Sequence, residues 1–257
     1  MIPLQTKFKS NTLIQTFNEL ERFTGFSSMG TGAFAYCTNL KEVKLPETVL
    51  RTCASNTSVT DETFRKTAIT SINLKNVTRL GSYTFYACPN LTTIDLKNVQ
   101  YFGQSTFRNT LQIKRIIAPN IISSTSGFTG DSIAYGSRTL QLVDFGPQMV
   151  FLPQYIRYNN NSDYGYAITS GGWSSVTVVC RSNNFTMSRL ALQHIYRCYC
   201  TEEMYDYLKS STNNNFTGCV YLIGGEQWIA QFGSSDPYAN LTQEEYDYYY
   251  HDIVEQG

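Results

Sequence analysis

Only two histidines, His194 and His251, occur in 257 residues, so imidazole acid–base chemistry has few places to sit. His194, Cys198 and Cys200 form the one cluster with metal-ligand residue types, as His-x-x-x-Cys-x-Cys. A structural zinc site pairs two such halves at set spacing, and no second half is present. Cys-x-Cys alternating with Tyr199 also suits a buried strand, so neither a metal nor another cofactor is assigned. Carboxylates such as Asp61 and Glu62 have no partner at an identifiable spacing. A nucleophile elbow, a phosphate loop, a dinucleotide fingerprint and the H-E-x-x-H zinc helix are absent. The chain is therefore expected to be a non-enzyme without catalytic residues. A carbohydrate-active enzyme stands as an alternative, because glycosidase carboxylates are often distant in sequence.

With catalysis set aside, composition narrows the partners. Charged residues make up 16% and the net charge is zero, whereas a typical domain has about a quarter charged. Along the sequence, Lys and Arg form no stripe able to neutralise several phosphates, which argues against nucleic acid. No apolar run reaches the roughly 18 residues of a membrane helix, so membrane insertion is not expected. The opening MIPLQTKFKSNTLIQTF has neither an apolar stretch nor a cleavage site, so no secretory signal is expected unless a leader has been removed. Seven dispersed cysteines are expected to be reduced thiols.

The positioning elements emerge on comparing the chain with itself. Ile69 begins ITSINLKNVTRLGSYTFYACPN and Leu91 begins LTTIDLKNVQYFGQSTFRNTLQ, a gapless match 22 residues on. Apolar residues fall at Ile69, Ile72, Leu74, Val77 and Leu80, then at Leu91, Ile94, Leu96, Val99 and Phe102. Gly81 and Gly103 follow, as turn-permitting residues, and then Phe85 and Phe107 as interior fillers. A third copy starts at Ile113, and looser copies start at Leu40 and Leu140; those at Leu40 and Ile113 are stretched to 29 and 27 residues. In L-x-x-I-x-L the last two apolar residues point the same way, as strand alternation requires. One unit cannot cover its own apolar face, so the units must stack as a solenoid.

GTGAFAYCTNLKEVKLPETV, from Gly30 to Val49, and GSYTFYACPNLTTIDLKNV, from Gly81 to Val99, resemble the BspA-like (treponemal-type) leucine-rich repeats, although most copies lack the proline after the strand. The resemblance runs from about Asn18 to Leu152. It implies a right-handed leucine-rich-repeat array of short parallel strands with irregular or short helical returns, an α/β solenoid. The division is then a non-repeat arm over 1–17, a solenoid over 18–152 and a degenerate, aromatic-loop and cap region over 153–257. Relatives of this type are typically surface adhesins, which implies recognition at a cell surface. Since no leader is visible, display on a phage particle is a second expectation, with an assembly role as virion subunit and with termini able to make homo-oligomer or particle contacts.

Within the repeats, Cys37 and Cys88 alternate with Thr67 and Thr110 as small interior fillers, two rungs apart and too distant for a disulfide. Asn76, Asn98 and Asn120 are candidates for an amide ladder or for ordinary turn residues. The outward strand positions stack into two columns expected to bind a protein or carbohydrate: Glu42, Ser71, Thr93, Arg115 and Leu142, and Lys44, Asn73, Asp95, Ile117 and Asp144. A second candidate surface is the polar loop with Tyr155, Tyr158, Tyr164, Tyr166 and Trp173. Further on, strands are expected near 176–180, 195–200 and 219–223, with helices after Thr201 and after Thr242.

Overall fold

The computed structural model describes residues 7–53, 61–124, 133–134, 136–137, 139–152, 176–187, 197–210 and 220–232. In chain order its strands are β1 (Thr16–Phe17), β2 (Glu42–Val43), β3 (Arg79–Leu80), β4 (Tyr101–Phe102), β5 (Arg115–Ala118), β6 (Ser123–Ser124), β7 (Leu142–Phe145), β8 (Phe151–Leu152), β9 (Thr177–Cys180), β10 (Thr186–Met187), β11 (Arg197–Cys200) and β12 (Val220–Leu222). Helix α1 (Glu202–Ser210) lies between β11 and β12, and α2 (Glu226–Phe232) follows β12. A 3-10 turn at Asn18–Arg22 follows β1. The strands expected from the last three apolar segments and the helix after Thr201 are present. The Thr201 hydroxyl, however, turns 3.4 Å to the Ser182 carbonyl. The helix expected after Thr242 lies outside the described residues.

Among the described residues all strand pairings are parallel, as a solenoid demands. One sheet runs β12-β11-β9-β7-β5, and the other runs β10-β8-β6-β4-β3. Single bridges Arg79↔Arg51 and Arg51↔Ser28 extend the second sheet toward the N-terminus, while β1 and β2 pair with each other. The apolar positions read from the repeat, including Ile69, Ile72, Leu74, Val77 and Leu80, are buried in one continuous core.

The third side of each rung is a turn built around phenylalanine. Phe8, Phe34, Phe64, Phe85 and Phe107 stack with centroid separations of 5.2, 5.6, 5.7 and 5.7 Å and interplanar angles of 4° to 8°. Ala134, also fully buried, lies in the next turn. The column crosses the stretched copy without a break, the Phe34 and Phe64 ring centroids lying 5.6 Å apart. Phe8 thus extends the array into a segment where no repeat was legible.

Two left-handed backbone positions flank each ring from Phe34 to Phe107. Before it stand Gly32, Glu62, Tyr83 and Ser105, and after it Tyr36, Lys66, Ala87 and Asn109, with φ between 50° and 64°. Such angles cost a non-glycine residue about 1–2 kcal/mol each. Hydrogen bonds between turns hold them: Phe34 N–H reaches Thr63 O at 2.9 Å and Tyr36 N–H reaches Arg65 O at 2.7 Å, and the same two bonds recur from Phe64, Lys66, Phe85 and Ala87 to the following turn. Gly81 and Gly103, expected as turn formers, have no such angle. They are required for close approach, since a Cβ on Gly81 would lie 2.5 Å from Asp61 Oδ2 and one on Gly103 would collide with Ser82 N.

Phe64→Ala, which removes a ring from the middle of the column, is expected to cost about 3–5 kcal/mol in urea unfolding, and Phe8→Ala at its half-buried end distinctly less. Ala87→Gly relieves a left-handed alanine and is expected to raise stability by about 1 kcal/mol.

Candidate recognition face

Where a strand pairing joins members of the two outward columns, at Arg115 with Leu142 and Ile117 with Asp144, the register is the one expected from the sequence. Thr16 pairs with Glu42, Arg115 with Leu142, and Leu142 with Thr177, while Ile117 pairs with Asp144 and Asp144 with Val179. Glu42, Lys44, Ser71, Asn73 and Arg115 are exposed, and Thr93, Asp95 and Ile117 are half-buried. Leu142 and Asp144 depart from expectation, being only 6% and 3% exposed. Helix α2 covers them. Trp228 and Phe232 pack with Leu142, Val179 and Tyr199 in a second apolar cluster, Trp228 meeting the Tyr199 ring edge-on at 5.1 Å. Asp144 receives Arg181 in a bidentate pair, Nε–Oδ1 at 2.9 Å and Nη2–Oδ2 at 2.7 Å, with the guanidinium 5.9 Å from the Trp228 ring centroid. Gln231 completes the seam by accepting from the Tyr199 hydroxyl at 2.8 Å and donating to Thr177 Oγ1 at 3.3 Å.

The open half of the face differs in its backbone as well. From β5 onward neighbouring strands pair over three or four residues, whereas Ser71–Leu74 and Thr93–Leu96 keep the inward alternation without forming a ladder. The reason lies in one outward slot. Asn73 Oδ1 accepts from Lys75 N–H at 2.8 Å and Asp95 Oδ1 from Lys97 N–H at 2.9 Å, so the side chain draws the backbone into a turn. In β5 the slot holds Ile117, which offers no acceptor, and in β7 the Asp144 carboxylate is engaged by Arg181. Glu42, Lys44, Ser71 and Asn73 line one groove of about 710 Å³ whose floor includes Val43, Ile72 and Leu74. Glu21 and Thr24, which the sequence did not single out, enter its rim from the segment after β1.

The asparagines form the amide ladder. Asn76 Nδ2 donates to Glu47 O at 2.8 Å, Asn98 Nδ2 to Lys75 O at 2.5 Å and Asn120 Nδ2 to Lys97 O at 2.8 Å, each tying a turn to the rung before it. The small interior slot also links rungs. Cys37, Cys88 and Thr110 donate to the carbonyls of Phe8, Phe64 and Phe85 at 2.8, 3.0 and 3.0 Å, and Ser137 donates to that of Phe107 at 2.8 Å. Cys37 and Cys88 are free thiols on either side of the Thr67 rung. Burial pushes Cys88 up to about 11, against the downward pull of hydrogen bonds at Thr67 and Lys66, so it stays a protonated donor.

Cys198 and Cys200 point into the core from β11 while Tyr199 faces α2. A hydrogen bond with the Cys180 thiol, and then burial, hold Cys198 well above the usual thiol range; burial pushes Cys200 up to about 12. Among the described residues no three His, Cys, Asp or Glu side chains are grouped to hold a metal. His194 and the aromatic loop with Tyr155, Tyr158, Tyr164, Tyr166 and Trp173 lie outside the described residues.

Removing Asp144 strands Arg181 beside Trp228. Asp144→Ala is expected to cost about 3 kcal/mol in urea unfolding, and adding Arg181→Met is expected to recover most of it. Equal losses from the single and the double variant would show that the pair does not hold this seam.

No curated protein matches the chain. Solved structures that resemble it include a leucine-rich repeat protein from Bacteroides ovatus at 17% identity and TM-score 0.38, a leucine rich cell surface protein from Faecalibacterium prausnitzii at 17% and 0.36, and the pneumococcal vaccine antigen PcpA at 14% and 0.35. The alignments cover 78%, 82% and 80% of this chain and 64%, 61% and 67% of theirs, so the chain spans under two thirds of the length of the first two. A family model, the BspA type leucine rich repeat region, matches in six copies. Residues 8–133, the stretch organised by the phenylalanine column, belong to the BspA-type leucine-rich-repeat family.

Proposed function

We propose that the chain is a non-enzymatic recognition module that holds a protein partner on the open half of its strand face, around Glu42, Lys44, Ser71, Asn73, Thr93 and Asp95. The observation that carries the reading is the division of one continuous face. Its later rungs lie beneath α2, whereas its earlier rungs present a groove of about 710 Å³ with both charges, hydroxyls and amides over an apolar floor. Both charges, hydroxyls and an amide within one patch suit the mixed chemistry of a protein surface. The family resemblance supports the same use, adhesion through the repeats, and display at a cell surface belongs to this reading.

The test is capture from a panel of purified cell-surface and extracellular-matrix proteins. Ser71→Arg with Asn73→Arg fills the groove without touching the core, and is expected to weaken the captured partner by at least about tenfold. Ile229→Ser, on the exposed side of α2, is expected to leave binding within about twofold, well short of a 1.4 kcal/mol change. Unchanged affinity in the groove variant would move the site off this face.

A further inference from the structure

The turn side carries a feature that the sequence conceals. Its stacked segments, 7–10, 32–37, 62–67, 83–88 and 105–110, contain Lys7, Lys9, Arg65, Lys66 and Arg108 but one acid, Glu62. Glu62 is already paired with Arg65. Elsewhere the N-terminal half is mixed: Glu21, Glu42 and Glu47 line the groove on the strand face together with Lys44 and Lys75. Within a chain of zero net charge, the turn side is a local concentration of cations.

The cations are ordered by two tyrosines. Lys9, Arg65 and Lys66 lie 5.9, 5.3 and 5.2 Å from the Tyr36 ring centroid, and Arg65 and Arg108 lie 4.6 and 5.6 Å from that of Tyr86. Cation–π contacts of this length fix the direction of flexible side chains at a modest energetic gain. They draw four cations from three separated segments into one line along the stacking axis. Lys7, Lys9 and Lys66 are exposed, and Arg65 and Arg108 are half-buried.

We propose that this ridge is a second binding site, distinct from the strand face, for a linear anionic polysaccharide bearing sulfate or carboxylate groups. Cations on alternate turns, from Lys9 through Arg65 and Lys66 to Arg108, with Tyr36 and Tyr86 on the turns between, suit a polymer with anionic groups at regular intervals. Affinity would come from counterion release, and binding would be steeply salt-dependent. The tyrosine faces are occupied by cations, so a nucleic acid finds no platform for its bases. The half-buried guanidiniums hold their place while the exposed lysines follow the polymer.

A heparin-derived oligosaccharide, titrated by fluorescence anisotropy between about 50 and about 200 mM salt, tests the proposal. Binding is expected at low salt. Lys9→Glu with Lys66→Glu, both exposed, is expected to weaken it by about tenfold or more and to flatten the log–log salt slope by about 1.5. Arg22→Glu with Lys75→Glu makes the same charge change at exposed sites off the ridge and is expected to leave both affinity and slope in place. Absence of binding at low salt overturns the proposal, as does equal loss in the two double variants. Equal or tighter binding of polyglutamate or of oligothymidine overturns the assignment to a polysaccharide.

Discussion

Ring stacking on the turn side is the constraint to which the rest of the fold answers. Phe8 to Phe107 form a column in which no ring is displaced by the irregular length of the copies. Each ring must sit over its neighbour, so the backbone on either side of it has to turn sharply in a small space. That is why left-handed angles recur at residues as unsuited as Glu62, Tyr83 and Lys66. The strain persists because Glu62 and Tyr83 are each held twice, by a bond within the turn and by another to the next, and Tyr36, Lys66 and Ala87 by a bond to the next turn. Cysteine, threonine and serine below the ring complete the scheme by donating back to the preceding phenylalanine carbonyl.

On the opposite side a single outward slot decides the character of the face. An acceptor side chain there, as in Asn73 and Asp95, captures the backbone N–H two residues on and leaves the strands without a ladder. An apolar residue, or a carboxylate satisfied from elsewhere, lets the ladder form. The same slot reads Val179 and Tyr199 in the later rungs, and these are the side chains on which α2 settles. The sheet becomes regular where it becomes apolar and covered. Recognition is left to the irregular, polar half.

The repeat was legible because its apolar positions recur at a fixed spacing and all of them meet in one core. The column register and the asparagine ladder followed from the same spacing. The left-handed positions were hidden because glycine, the usual marker, occupies few of them, and the function of Gly81 and Gly103 was misjudged because a close approach and a turn leave the same residue type. Burial of Leu142 and Asp144 could not be read, since their cover comes from Trp228 and Phe232, more than eighty residues later and outside any repeat. The cationic ridge was invisible for a related reason. Lys9, Arg65 and Arg108 each follow a ring phenylalanine, but the turn at Phe8 was not legible as a copy and the turns between carry Ala35 and Tyr86 at that position, so the cations come together only when the turns stack.

The backbone bonds that flank the rings run one way only. The N–H groups of Phe8, Phe34, Phe64 and Phe85, and of Ser10, Tyr36, Lys66 and Ala87, all point to carbonyls of the following turn. Bonds in the parallel sheets alternate in direction between neighbours and largely cancel, whereas these peptide units add. The turn side is therefore an oriented column of dipoles that grows with every rung, as a helix does, but with its negative carbonyl end at the first turn. Lys7 and Lys9 stand at that end. The chain thus places positive charge where its own backbone is most electronegative, and a longer array of the same design would strengthen that field without adding a single charged residue.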